Sequence, residues 1–202
     1  MAKEKKTPGI TDLDALKVFA HPLRIALYRH LRTAEAATAS QLAEQVDEAV
    51  ALVSYHLRKM AAHGFLVEAP ELSTDGRERW WKLASDRGWS FRSSDFTGDP
   101  EGAAVVGQVT RHLLASRAER YSAYLDQQAA WPEEWTDAAF SSEYTPRLTA
   151  AELAGLGEEI AALVQRYGER GRAAEAAGDT TGREHVALHL YGFPYRSPGG
   201  TA

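Results

Sequence analysis

The chain has 202 residues, 44% of them hydrophobic, a formal net charge of -5 and no cysteine. That length and apolar share allow a buried core in one large domain or two small ones, and the missing cysteine excludes disulfides, thiolate metal sites and cysteine nucleophiles. The charge is uneven: residues 1–92 carry 14 Lys+Arg against 12 Asp+Glu, residues 93–202 carry 9 against 16, so a nucleic-acid partner would meet the first part.

The opening MAKEKKTPGI has lysines but no apolar run behind them, and no stretch approaches the roughly 20 apolar residues of a membrane span. Residues 1–10 are expected to be a flexible N-terminus, and the chain to be cytoplasmic with no membrane partner. DLDALKVFA reads as a short helix with Leu13, Leu16 and Phe19 or Ala20 on one face. HPLRIALYRHL follows, with Pro22 suited to a first helical turn and Leu23, Ile25, Ala26 and Leu27 as its apolar side. TASQLAEQV offers Thr38 as a cap for a helix that turns Leu42, Ala43 and Val46 inward.

The next helix begins in ALVSYHLRKMAAHGFLVEA. At about 100° per residue, Val50, Val53, Leu57, Met60, Ala61 and Gly64 share one side, and Ala51, Tyr55, Arg58, Lys59 and Ala62 lie opposite. Ser54 and His56 fall on the two borders. The outward side has hydrogen-bonding and cationic groups and no carboxylate, which suits a surface facing phosphates. FLVEA and RERWWKL then read as strands around the turn-forming STDG, with Arg77 and Arg79 beside Gly76 at a hairpin tip. Helices followed by a hairpin make a winged helix-turn-helix plan for residues 11–84.

Residues 85–102, rich in Ser, Gly and Asp, read as a linker, although Trp89, Phe91 and Phe96 suggest that it packs against something. Residues 103–202 form the second expected domain, for dimerisation and possible effector binding. It opens on a long helix from about Ala103 to Ala130 that carries Val106, Val109, Leu113, Ala118, Tyr121 and Leu125 at helical spacing. AFSSEYT looks strand-like, Thr149 and Glu152 have capping-box spacing, and Leu153, Leu156, Ile160, Leu163, Val164 and Tyr167 form one stripe behind them. EHVALHLYGF alternates, with Val186, Leu188 and Leu190 on one face and His185, Ala187, His189 and Tyr191 on the other. The expected fold is therefore mainly α with an α+β C-terminal part.

HPLRIALYRHL, TASQLAEQV, VSYHLRKMAAHGFL and DGRERWWKL, in that order, resemble the winged helix-turn-helix of ArsR-type bacterial transcriptional regulators, over about residues 11–84. The resemblance implies a homodimer that binds double-stranded DNA at an inverted-repeat, pseudo-palindromic operator, and favours repression. It also places Ser54, Tyr55, His56 and Arg58 at the groove, with Thr38, Ser40 and Gln41 near phosphates. Tyr55 and Arg58 are the candidates for base-edge readout, and Lys59, Arg77 and Arg79 for backbone positioning. The family often has a polar residue such as Gln at the start of this helix; here Ala49, Val50, Ala51 and Leu52 stand there, so Ala51 and Leu52 are candidates for apolar contact with thymine methyls or for reading shape.

Tyr121, Tyr124, Trp131, Trp135 and Tyr191 are candidates for a small-molecule effector pocket, with core or dimer packing the plainer use of such rings. The long helix from Ala103 is the leading dimerisation element. His185 and His189 lie roughly 13 Å apart on an extended strand at about 3.3 Å per residue, too far to chelate one ion together. No metal and no cofactor is expected, and a regulator sensing metal through His, Asp and Glu is the lesser alternative. No G-x-S-x-G, H-E-x-x-H, P-loop or complete G-x-G-x-x-G motif occurs, so no enzyme is expected. The remaining alternative is a winged helix used for protein contacts alone.

Overall fold

Phe19 and Leu16, both fully buried, sit in the core of the first of two units in the computed structural model, Met1–Ala129 and Ala130–Ala202. The structure describes residues 9–73, 78–85 and 88–196. In the first unit α1 (Leu13–Lys17) starts where the Asp12 carboxylate accepts from the Ala15 amide at 2.8 Å, and it runs into a 3-10 turn, Val18–Ala20. His21 caps α2 (Pro22–Ala34) by accepting the Leu23 amide at its Nδ1, and Pro22 enters at a position that needs no amide donor. The pair Thr38 and Gln41 makes a reciprocal capping box at the start of α3 (Ala39–Val46): the Thr38 hydroxyl accepts from the Gln41 amide and Gln41 Oε1 accepts from the Thr38 amide at 2.9 Å.

Helix α4 (Val50–Ala62) ends where Gly64 takes a φ of 75°, a left-handed conformation natural to glycine. The Gly64 amide then reaches Ala61 O at 2.9 Å and the Phe65 amide reaches Met60 O at 3.1 Å, which satisfies two end carbonyls and turns the chain into the sheet. Strands β1 (Ala36–Thr38), β2 (Leu66–Glu68) and β3 (Trp80–Leu83) form an antiparallel sheet in the order β1-β3-β2, with Ala37 opposite Trp81 and Val67 opposite Lys82. The β2-β3 hairpin is the expected wing. Strand β1 was not expected: three residues carry too little periodicity to signal a strand, and only β3 gives them a ladder.

The stretch 85–102 contributes to the core of this unit. Trp89 stacks on Phe19 with ring centroids 4.0 Å apart, Phe65 and Tyr28 meet Phe19 edge-on, and Phe96 is buried. Each such ring or aliphatic chain withdrawn from water contributes about 1.5–3 kcal/mol. Ile10 is also buried and donates its amide to Ser90 O at 2.7 Å, so the flexible stretch expected over residues 1–10 does not extend to Gly9 and Ile10; residues 1–8 lie outside the described residues. Helix α5 (Pro100–Gln127) likewise belongs to the first unit up to its end. It buries Val105, Val106 and Val109 there, and Gln108 donates to Ala20 O at 3.1 Å. The units thus divide after α5, where the sequence had suggested a break before it.

In the second unit α6 (Glu133–Ala138) precedes α7 (Ala150–Ala176), whose expected capping box is present: Thr149 Oγ1 accepts from the Glu152 amide and Glu152 Oε2 from the Thr149 amide. The expected strands are not. Residues 139–149 and 183–196 carry no strand, and Val186, Leu188 and Leu190 stay exposed. Alternation alone does not make a strand, because ladder hydrogen bonds need a partner segment and the described residues of this unit offer none. The chain is thus mostly helical; among the described residues there is one small sheet, inside the winged unit, and no helix is long and apolar enough to cross a membrane.

Among the described glycines, Gly102 is the most closely hemmed in. A Cβ there would stand 1.9 Å from Phe96 O, a backbone atom that cannot swing aside. Gly102→Ala is therefore expected to lower stability by about 1–3 kcal/mol or more in denaturant unfolding. An unchanged midpoint would show that the turn before α5 is not held as described.

Candidate nucleic-acid interface

The chemistry of α4 follows from which of its faces is buried. Val53, Leu57 and Met60 are fully buried, and they share that face with His56, 3% exposed. This leaves Ala51, Leu52, Tyr55, Arg58, Lys59 and Ala62 outside, a continuous face without a carboxylate, since VALVSYHLRKMAA contains none. Arg58 is steadied by its own helix, donating from Nε to Ser54 O at 3.2 Å. Tyr55, 53% exposed, turns its ring edge toward His56. Val50, expected on the inner side, is instead 47% exposed, because α4 begins there before it meets the core.

His56 is the main correction to the expected contact set. Its Nδ1 accepts from Arg24 Nε at 3.0 Å, and Arg24 Nη1 donates to Val18 O at 3.1 Å. A guanidinium always keeps its protons, so Nδ1 must be the bare nitrogen and the ring is neutral, with its proton on Nε2. Burial and then the charges of His21, whose ring lies 4.5 Å away, and Arg24 hold its pKa down to about 4. His56 thus fixes α4 to α2 and, through Arg24, to the Val18 turn. It is not available to a groove. No local pattern signals this, because His56 sits on the border of the helical wheel and its burial depends on Arg24 and His21, more than thirty residues away.

The preceding helix divides in the same way. Thr38 is buried and its hydroxyl is occupied in the capping box, which argues against a phosphate contact from that side chain, whereas Ser40 and Gln41 are exposed. Ser54 is half-buried. The turn between α3 and α4 exposes Asp47 and Glu48, with Asp47 in a left-handed conformation at φ 51°. These two carboxylates oppose phosphates at that edge, so the favourable potential lies farther along α4, at Arg58 and Lys59. Ala49 supplies no side-chain cap, so no side chain covers the first-turn amides of α4.

On the wing Arg79 pairs with Glu68 at 3.2 Å and its guanidinium lies over the Trp81 ring at 5.9 Å. It is 57% exposed, and an exposed pair of this kind is weak enough to exchange for a phosphate. Arg77 and the Gly76 turn lie outside the described residues.

The five aromatic residues named for an effector fall into separate units. Tyr121 and Tyr124 are on α5 of the first unit, rings stacked at 6.2 Å, and the Tyr124 hydroxyl is buried without a hydrogen-bond partner among the described residues. Trp131, Trp135 and Tyr191 are in the second unit, where Trp131 and Trp135 meet edge-on at 6.4 Å. Tyr121, Trp131 and Tyr191 are all exposed. Among the described residues no three His, Asp or Glu side chains gather as a metal site would require.

A family model described as a helix-turn-helix domain matches residues 19–69, which run from Phe19 through α2, β1, α3, α4 and β2 to Ala69. No curated protein matches the chain. The match and the arrangement of α2, α3 and α4 together support a DNA-binding role for this unit.

The buried His56 makes stability depend on pH in a defined sense. Its folded pKa, about 4, lies below the ordinary 6.5, so its contribution is complete above pH 6.5 and declines as pH falls toward 4, where the unfolded chain takes up a proton that folded His56 refuses. His21, pushed down by burial and by Arg24, acts in the same direction. Urea midpoints at pH 7 and pH 5.5 should differ for the native chain and differ less for His56→Gln, which retains an acceptor for Arg24. Equal differences would show that His56 is not the neutral partner of Arg24.

Proposed function

We propose that the chain is a sequence-specific, double-stranded DNA-binding transcriptional regulator of ArsR type, acting as a homodimer on an inverted-repeat operator and most simply as a repressor. The observation that carries this reading is the outward face of α4, where Tyr55, Arg58 and Lys59 stand without a carboxylate on the second helix of a helix-turn-helix. In such a unit that helix enters the major groove. Arg58, with a fork of donors, suits the acceptor edge of guanine, and Lys59 suits phosphate. Ala51 and Leu52 are placed to touch thymine methyls, with Ser40 and Gln41 toward the backbone.

Dimerisation is assigned to α5, whose later turns leave Leu114, Tyr121 and Leu125 exposed at spacings of seven and four residues. Twofold-related α4 helices would then meet successive major grooves about 34 Å apart. Control by a small molecule is part of the proposal, with the Tyr121–Tyr124 and Trp131–Trp135 pairs as starting points. No reaction is assigned to the chain.

A protein-contact reading draws on one observation, the exposure of Val50, Leu52 and Tyr55 together at the start of α4. Salt separates the two. Binding to duplex DNA should weaken steeply between about 50 and 200 mM salt, and an affinity with no salt slope would favour the protein-contact reading.

Selection of genomic fragments by the purified protein should enrich a pseudo-palindromic site. On that site Arg58→Ala is expected to cost about 1–3 kcal/mol and to relax preference at one position of each half, while Lys59→Ala weakens selected and random duplexes alike. An equal loss on both duplexes for Arg58→Ala would remove it from base readout.

A further inference from the structure

The second unit has no buried core of its own. Among its described residues, 130–196, none is buried, although they include Phe140, Tyr144, Leu163, Tyr167 and Phe193. Helix α7 runs through it for 27 residues, and helices in proteins owe most of their stability to packing of an amphipathic face. Ordering this chain without withdrawing apolar surface from water leaves its lost conformational entropy uncompensated, so the unit is complete only when something covers α7.

The spacing along α7 indicates what that is. Leu153, Leu156, Ile160, Leu163 and Tyr167 follow one another by three, four, three and four residues, the a and d positions of a heptad repeat. Leu156, Leu163 and Tyr167 are exposed. Leu153 and Ile160 are half-buried, and the chain at Gly192 passes close to the first of them, since a Cβ there would stand 3.0 Å from Leu153 Cδ1. A strict a/d stripe is narrower than the face with which a helix enters a globular core, and it suits a second helix of the same period. At the next such position Arg170 lies over the Tyr167 ring at 5.1 Å and closes the stripe.

The flanks select the partner and its direction. Glu152, Glu159 and Arg166 border the stripe on one side, Gly157 and Val164 on the other. In an antiparallel pair of α7 helices, with Ile160 of each copy level with Leu163 of the other, Glu159 of one copy meets Arg166 of the other, twice by symmetry. On the opposite flank Val164 enters the space beside Gly157, where an added Cβ would meet nothing within 4 Å. A parallel pair instead sets Glu159 beside Val164 and Arg166 beside Gly171, and matches no opposite charges. The seam is about 40 Å long and about 10 Å wide, roughly 400 Å² per partner. A standard interface covers about 800 Å² per partner, so this contact supplements the one assigned to α5 and does not replace it.

We propose that α7 pairs antiparallel with α7 of a second copy of this chain, with Leu156, Ile160, Leu163 and Tyr167 in the seam and Glu159 against Arg166 across it. The inference rests on the homodimer reading above, and it gives the second unit the task of joining the two chains.

The test is sedimentation of the full chain over a range of concentrations. Glu159→Arg and Arg166→Glu, both at exposed positions, are each expected to weaken the dimer by about tenfold or more, and Glu159→Arg/Arg166→Glu to restore it. The two positions lie two turns apart on one helix, beyond the reach of an i,i+4 pair, so restoration reports a contact between copies. Leu163→Asn, at a side chain already 45% exposed in the single chain, is expected to weaken the dimer as well. Nitroxides placed by Ala161→Cys and Ala154→Cys in the cysteine-free chain read the direction: the first pair lies near the twofold axis, the second about 22 Å apart along the helices, so the second distance is the longer. Equal distances, or weakening by both charge variants without restoration in the pair, overturn the antiparallel contact. A native monomer overturns this inference and the homodimer reading together. A native dimer that none of these substitutions weakens overturns this inference alone and leaves the dimer to α5.

Discussion

Burial of one face of α4 is the constraint on which the rest of the first unit depends. Val53, Leu57 and Met60 supply the apolar contact, but they alone would leave the rotation of the helix loosely determined, since apolar packing is not directional. The directional element is the Arg24 guanidinium, which holds Val18 O with one nitrogen and His56 Nδ1 with another. A half-buried cation needs acceptors, and an imidazole can serve only when it is neutral. The neutrality of His56 is therefore a condition of the geometry, and Arg24 with His21 also helps to enforce it.

With that rotation set, the outward residues of α4 have no other placement. Tyr55, Arg58 and Lys59 project from the face opposite Val53 and Leu57, and the carboxylates of the neighbouring turn, Asp47 and Glu48, remain at the far end. The net charge of -5 is consistent with this pattern, because the negative balance is carried by residues 93–202. Within the first unit the two helices without a carboxylate, α2 and α4, hold Arg24, Arg29, Arg32, Arg58 and Lys59 between them. The cations used inside the fold and those presented outward are thus separated by which face of a helix meets the core.

Local signals were legible in the sequence and non-local ones were not. Pro22, the Thr38–Gln41 pair and the Thr149–Glu152 pair mark helix starts through hydrogen bonds that span three residues, and each helix lies where its cap indicates. Strand β1 depends on Trp80 to Lys82, more than forty residues on, and nothing in Ala36–Thr38 announces that partner. Residues 184–193 show the converse: their alternation satisfies the period of a strand but finds no ladder among the described residues. The same division runs through the candidate site. The exposure of Tyr55, Arg58 and Lys59 follows from helical periodicity, whereas the burial of His56 required Arg24, and the occupation of the Thr38 hydroxyl required its capping partner.

Amide chemical-shift mapping of the chain on titration with its selected duplex tests directly whether the outward face of α4 meets DNA. Perturbations are expected to centre on Ala51, Leu52, Tyr55, Arg58 and Lys59, with the His56 ring remaining neutral and bonded to Arg24 in free and bound protein. Perturbations that spare α4 and gather elsewhere, or a His56 ring that becomes protonated or changes its partner when DNA binds, would contradict this expectation.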